Sequence, residues 1–209
     1  MKNYFKSLAL SLIMITGAKG AFSQVSYNVQ AGINLSSMSN NIMPDVANKI
    51  GIRAGVGINY YFSEQFSFDP SILIVTKGFR QPDLSFSVNP AYIQIPLNIT
   101  FNLPLSLDVK LLFGAGPYVA YGIGGKGTLK LDSGETISDS PLFSSNVVSM
   151  VTYKKRFDAG LTAYIGFMYR NIALSVGGDI GMTAVNNIEI NSNKNFNNSF
   201  NITLSYRFK

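Results

Sequence analysis

Few residues of this chain have side chains that could carry out chemistry. The sequence contains no histidine, so the usual general base and the commonest metal ligand are both missing. A histidine-dependent triad or acyl-hydrolase dyad therefore cannot form. An acidic protease pair at a loop rim could use Asp83 and Asp179, but we expect these two carboxylates to do nothing catalytic. We predict that the chain is not an enzyme.

Two loop segments resemble ligand sites in composition only. Residues 122–128 are rich in glycine, but they lack the spacing of a phosphate-binding loop and no helix follows them. Asp132, Glu135 and Asp139 are acidic, yet their spacing is not that of a calcium loop. We interpret the two segments as a flexible loop exit and a solvated acidic stretch. The sequence predicts no cofactor and no metal site.

One short basic run has two open interpretations. The run consists of Lys154, Lys155 and Arg156, directly before a segment, 157–169, that is predicted below to be a strand. They could contact lipopolysaccharide phosphates by charge attraction, or they could form a solvated loop end. The formal charge is +6, and removing the basic residues of the first 23 positions leaves +3. That excess is too small to indicate nucleic acid as a partner.

Other charged residues fall on the polar faces of alternating segments. Basic and acidic side chains are nearly balanced there, which indicates a buried network of paired charges, because an unpaired buried charge is costly. The residues assigned to this interior network are Arg53, Asp69, Asp108, Lys110, Asp158, Asp179 and Arg207.

The elements that would position these residues are strands. Apolar residues alternate with polar or small ones, as successive strand side chains point to opposite faces. Most segments have the length of a tilted membrane-spanning strand, and none has a sustained helical period. The eight segments are residues 27–36, 50–62, 65–77, 92–102, 105–122, 157–169, 171–182 and 199–208.

Short and long connections also alternate along the chain. Short turns are predicted at Ser63-Glu64, Leu103-Pro104 and Arg170, and long loops at 37–49, 78–91, 123–156 and 183–198. This pattern is typical of outer-membrane barrels, whose short turns face the periplasm and whose long loops face outward. We predict an all-β fold, an eight-stranded antiparallel up-and-down transmembrane β-barrel. Its last strand would pair with the first.

Aromatic residues cluster at the short-turn ends of the segments, on the apolar face. Such residues form girdles at membrane interfaces. The predicted periplasmic girdle consists of Tyr27, Tyr60, Phe62, Phe66, Phe101, Tyr169, Tyr206 and Phe208. Tyr121 and Phe157 are the sparser candidates for an outer girdle.

A soluble barrel with its apolar face inward is the alternative fold. The chain is 46% hydrophobic but only 13% charged, which is low for a soluble surface and favours the transmembrane barrel. Eight strands leave an interior just wide enough for side chains. Bulky residues such as Tyr61, Tyr118 and Tyr164 lie on the polar face, so we expect a filled core and no diffusion pore.

The first residues have the layout of a secretory signal peptide. Lys2 and Lys6 precede a short apolar core, and Ala21-Phe22-Ser23 places small residues before a cut ahead of Gln24. A membrane anchor is the alternative, but the apolar run is well short of a spanning helix. We predict a signal peptide over 1–23 and a barrel domain over 24–209. Without cysteine, the exported domain has no disulfides.

Several short motifs resemble a known family. They are Ala21-Phe22-Ser23-Gln24, Gly32-Ile33-Asn34, Ile95-Pro96-Leu97, the Gly-Ala-Gly-Pro-Tyr of 114–118, and Tyr206-Arg207-Phe208-Lys209. With them the chain resembles the outer-membrane β-barrel family of Bacteroidetes. Its members are often labelled "porin family protein" and include the PorT-like proteins of type IX secretion. The resemblance implies a barrel in the outer membrane of a Gram-negative bacterium, and carries no catalytic residues.

Three classes of function remain open from the sequence. The first is a structural or surface-interaction barrel that works through its extracellular loops. The second is a PorT-like component of type IX secretion, and the third is a narrow channel or small-ligand carrier. The expected partners are outer-membrane lipid and lipopolysaccharide, the barrel-assembly machinery during insertion, and proteins that contact the loops.

Overall fold

Strands make up nearly all of the chain that the structure describes. The computed structural model describes residues 25–39, 47–81, 86–130, 136–139, 156–183 and 196–208. No helix within these ranges is long and apolar enough to cross a membrane. The strands are β1 Val25–Ser39, β2 Ala47–Tyr61, β3 Phe66–Thr76, β4 Phe79–Gln81, β5 Phe86–Pro104, β6 Val109–Lys130, β7 Thr136–Asp139, β8 Phe157–Tyr169, β9 Ile172–Gly181 and β10 Phe196–Phe208.

Eight of these strands form a closed antiparallel ring. The pairings run β1–β2–β3–β5–β6–β8–β9–β10, and β10 pairs back with β1. That seam is in continuous register from Tyr27 opposite Phe208 to Ser39 opposite Phe196. Closure leaves no unpaired edge along the ring, as lipid requires. The prediction of an eight-stranded antiparallel barrel is therefore confirmed.

The two short strands extend the wall on one side. β4 continues the line of β3 and pairs with both β2 and β5, while β7 pairs with the end of β6. We call residues 79–81, 86–90, 124–130 and 136–139 the outer extension. The long loops were predicted to begin at 78 and 123, and this was wrong. Backbone pairing continues past the glycines of β6, and the register shifts between Ala91 and Tyr92.

The alternating pattern places polar residues inside and apolar residues outside. Along β8 every second residue from Asp158 is buried or half-buried inside, whereas Leu161, Ile165 and Phe167 are exposed. Ile52 and Leu174 on other strands are likewise 63% and 52% exposed. A soluble barrel would need the opposite arrangement. Apolar residues therefore form the outer, lipid-facing surface.

The periplasmic turns are short, but one of them is displaced from its predicted place. β5 runs through Leu103 and Pro104, and the turn consists of residues 105–108, closed by the Leu105 N–H donating to the Val109 carbonyl at 2.9 Å. Pro104 indicated a turn, but it is the last paired residue of β5 and lies opposite Lys110. The other turns, residues 62–65 and 170–171, coincide with the predicted positions. Arg170 has a left-handed backbone there, with φ of 52°.

Candidate functional site: the barrel interior

Charged and aromatic side chains fill the extracellular end of the barrel. Lys77 follows β3 directly, and its Nζ lies 3.3 Å from Asp158 Oδ2 on β8, with both residues almost fully buried. The same Nζ lies 4.5 Å from the Tyr118 ring centre and 5.8 Å from that of Tyr92. We call these four residues the mouth cluster. An ammonium over aromatic faces gains cation–π attraction when it is desolvated.

Asp158 accepts further hydrogen bonds from several parts of the wall. Tyr118 Oη donates to Oδ2 over 3.4 Å, and Asn197 Nδ2 donates to the same oxygen over 3.2 Å. Thr183 Oγ1, just after β9, donates to Oδ1 over 3.1 Å. Because a buried carboxylate is tolerated when it is paired and hydrogen-bonded, these contacts account for its position. One side chain thus connects three strands, β6, β8 and β10, with the residues that follow β3 and β9.

A second polar layer lies below the mouth cluster. Asp179 on β9 is buried, and its Oδ2 accepts from Gln94 Nε2 at 3.1 Å and from Ser199 Oγ at 3.2 Å. Arg53 on β2 is also buried, with 7% of its surface exposed. Its guanidinium makes no ion pair among those found in the described residues.

The periplasmic end carries a basal cluster of Tyr61, Asp69, Lys110 and Arg207. Arg207 Nη1 donates to Tyr61 Oη at 2.7 Å, and Arg207 Nη2 lies 3.8 Å from Asp69 Oδ2. Lys110 Nζ lies 6.0 Å from the Tyr61 ring centre. This cluster combines side chains from four strands, so it fixes the lower interior as the mouth cluster fixes the upper.

A cavity of about 60 Å³ lies within the barrel, with side chains from all eight strands of the ring in its wall. Its charged wall residues are Arg53, Asp69 and Arg207. Tyr164 also lines it and shares a 2.7 Å hydrogen bond with Thr100 Oγ1. A Cβ atom at Gly114 would overlap the Tyr164 ring, so glycine is needed there for close packing. The volume is sufficient for about four water molecules.

Six of the seven predicted network residues lie inside the barrel. Asp108 was predicted to do so as well, and that was wrong. It belongs to the 105–108 turn, its side chain is 49% exposed, and it pairs with Arg170 at 3.4 Å. The predicted segment started at Leu105, before the actual strand, so alternation assigned a face to a residue that has none.

Sequence reasoning missed Lys77 as a member of the interior network. Its signal was present, because Lys77 has the same parity as Asp69, Ser71, Leu73 and Val75, which all point inward. This residue ends the predicted segment 65–77 and is not among the residues predicted for the interior network.

The predicted periplasmic girdle residues all lie at the short-turn end with their rings directed outward. Ring contacts connect several of them: Phe66 lies 5.1 Å from Phe101 and 6.1 Å from Phe62 between centroids, and Phe208 lies 6.2 Å from Tyr206 and 6.4 Å from Tyr27. Phe113, not predicted, extends the chain of rings beyond Phe101. Tyr121 and Phe157 lie opposite each other toward the outer end.

Several predictions concern residues outside the described ranges. These are the signal peptide at 1–23, the basic residues Lys154 and Lys155, and the acidic residues Asp83, Asp132 and Glu135. Arg156 is described and exposed, and its carbonyl accepts from the Gly122 N–H at 2.7 Å. Within the part of the chain that the structure describes, no three histidine, cysteine or acidic residues are grouped as metal ligands.

The closed ring, the apolar outer wall and the aromatic girdle define an outer-membrane β-barrel. The family described as "outer membrane protein beta-barrel domain" matches residues 17–188, and the chain belongs to this family. Its location is therefore the outer membrane. Among curated proteins, none matches the chain.

Solved structures with a similar chain course include three bacterial barrels. Ail, the attachment invasion locus protein of Yersinia pestis, is 13% identical, with 88% of this chain and 99% of Ail covered and a TM-score of 0.45. Neisserial surface protein A is 14% identical over the same shares, also with a TM-score of 0.45. OprG of Pseudomonas aeruginosa is 11% identical, with 90% and 98% covered and a TM-score of 0.42.

Proposed function

We propose that this protein is a non-conducting outer-membrane barrel that acts as a structural or surface-interaction protein through its extracellular side. The observation that carries the proposal is the mouth cluster. Lys77, Tyr92 and Tyr118 each have about 1% or less of their surface exposed and occupy the lumen where a solute would enter. Passage would require separating the buried Lys77–Asp158 pair, which is costly in a low-dielectric interior.

The outer extension supports the second half of this proposal. β5 and β6 pair beyond the Tyr121–Phe157 level as far as Phe86 opposite Leu129, and β4 and β7 flank them. This paired backbone stands on the extracellular side of the barrel. A rigid barrel below and a broad β-surface above suit contact with another molecule better than transport.

Planar bilayer recording tests the closed lumen. The purified wild-type protein should insert without giving stable single-channel steps. The combined variant Lys77→Ala/Tyr118→Ala/Asp158→Ala is the matched control, because it removes bulk from the lumen without leaving a buried charge unpaired. Large steady steps from the wild type would contradict the proposal and favour the narrow-channel alternative.

Site-specific photocrosslinking on intact cells tests the surface role. A photoreactive residue in place of Thr128, in the outer extension, should yield a crosslink to protein. The same residue in place of Val119, on the lipid-facing wall, should yield lipid only. Equal patterns at the two positions would argue against an extracellular contact surface.

A second proposal is that the chain belongs to the Bacteroidetes barrels and serves as a PorT-like component of type IX secretion. Its support is the set of short motifs described above, including Ile95-Pro96-Leu97 and the final Tyr206-Arg207-Phe208-Lys209. Copurification from native membranes separates the two proposals. Specific recovery of secretion components would support this one, and their absence would support the surface role.

We further propose that the protein has no catalytic activity.

A separate proposal is that Lys154, Lys155 and Arg156 bind lipopolysaccharide phosphates. Replacing the three basic residues by Gln should lower the lipopolysaccharide retained on purification, since phosphate attraction depends on their charge. The replacement Lys126→Gln, at an exposed lysine of the outer extension, is the control. Unchanged retention in the triple variant would remove the lipid-binding proposal.

A further inference from the structure

A buried cation without a close counter-charge lies in the wall of the internal cavity. Arg53 is 93% buried, and its Nε and Nη1 atoms have no hydrogen-bond partner among the residues that the structure describes. Its side chain is part of the cavity wall. Desolvating a guanidinium without an acceptor is expensive, so the position calls for an acceptor inside the cavity.

Neither nearby carboxylate supplies the acceptor that Arg53 lacks. Asp69, the acidic residue among the described residues of the cavity wall, lies 3.8 Å from Arg207, and both of its oxygens are themselves buried without a hydrogen-bond donor among the described residues. Asp179 attracts Arg53 electrostatically, but it belongs to the layer above and makes no ion pair with Arg53. The cavity wall therefore holds two guanidiniums and one carboxylate, an excess of one positive charge.

The volume of the cavity and the positive charge on its periplasmic side both suit a small anion. About 60 Å³ holds a single monatomic anion together with a few waters. Those waters would also donate to Asn98 Oδ1 and to the two Asp69 oxygens, wall atoms that find no donor among the residues the structure describes. Lys110 of the basal cluster adds a further positive side chain on the periplasmic side, and positive charge attracts anions.

We propose that the barrel binds one chloride-sized monovalent anion in this cavity, held by Arg53. The anion supplies the missing counter-charge and accepts the hydrogen bonds that Arg53 Nε and Nη1 would otherwise lack. The site is independent of the proposed extracellular role, because its lining residues belong to the eight ring strands and none of them to the outer extension. A barrel that only displays a surface has no need of it.

Bromide tests the site directly. Crystals of the full barrel grown in sodium bromide should show an anomalous peak beside the Arg53 guanidinium. Arg53→Gln should lose that peak, and Lys49→Gln, which removes a lysine outside the cavity, should keep it. Featureless water-like density in the wild type, or a peak that persists in Arg53→Gln, would overturn the proposal.

Thermal unfolding in detergent gives a second readout that needs no crystals. At fixed ionic strength, replacing gluconate by chloride should raise the Tm of the wild type and of Lys49→Gln, because a ligand that binds only the folded state stabilises it. The Tm of Arg53→Gln should not respond. If Arg53→Gln does not refold, the test relies on the wild type. A wild-type Tm that is the same in chloride, bromide and gluconate would show that the cavity holds water only.

Discussion

Asp158 carries its charge in an almost fully buried site and depends on one cation for balance. Replacing Asp158 by Asn keeps the shape of the side chain but leaves the Lys77 ammonium buried without a counter-charge. We expect the free energy of unfolding to fall by about 3–5 kcal/mol. Urea titration of the protein in lipid vesicles, followed by gel mobility, measures this change.

Asp108 provides the matched control for that prediction. Asp108→Asn removes an equal charge from an exposed pair with Arg170, which contributes about 0–1 kcal/mol at most. If both variants lose the same stability, the Lys77–Asp158 pair does not differ from a surface pair. The double variant Lys77→Met with Asp158→Leu should be more stable than Asp158→Asn, because it removes both charges together.

Gly114 gives a test of packing inside the barrel. Its Cβ in Gly114→Ala would overlap the Tyr164 ring, forcing the ring to move and weakening its hydrogen bond to Thr100. Overpacking of this kind costs about 1–3 kcal/mol. Gly124→Ala is the control, since no atom of the described residues lies within 4 Å of the added carbon. Equal unfolding midpoints for the two variants would show that Tyr164 yields without cost.

At the scale of elements, the aromatic girdle anchors the strand ends at the periplasmic interface. Phe66 contacts the rings of both Phe62 and Phe101. Phe66→Ala should lower the stability of the barrel in vesicles by about 1–3 kcal/mol, through lost apolar burial and lost ring contacts. Leu107→Ala, in a turn where the side chain is fully exposed, should change it little. A larger loss at Leu107 would indicate that this turn, too, is anchored.

The sequence predicts the number of ring strands, their order and which side chains point outward. It can do so because every strand that crosses lipid must alternate apolar and polar residues, and this alternation is visible within each segment. Strand ends do not follow in the same way. Pro104 and the glycines of β6 are expected to stop strands, yet here backbone pairing with a neighbour continues through them. The parity of Lys77 predicts its inward direction, but its partner Asp158 is 81 residues away in sequence. Pairings and the cavity depend on barrel register, which alternation alone does not fix.

For the whole molecule, the decisive feature is the β1–β10 seam that turns a sheet into a barrel. Ile33 and Ile202 lie directly opposite across it, and Leu204 is paired instead with Ala31. The chain contains no cysteine, so a disulfide between two introduced cysteines can be detected without competing native thiols. Opposite residues on antiparallel strands fall within disulfide range, whereas diagonal neighbours at about 7–8 Å do not.

Oxidation of Ile33→Cys/Ile202→Cys in membranes should therefore give an intramolecular disulfide. On an unreduced gel after boiling, the linked chain should migrate faster than the reduced one, because its ends remain joined. Ile33→Cys/Leu204→Cys should remain free under the same oxidation. A crosslink in the offset pair alone would mean that the seam is shifted by two residues. No crosslink in either pair would mean that the first and last strands do not meet, and the closed interior with its cavity would then have no wall on that side.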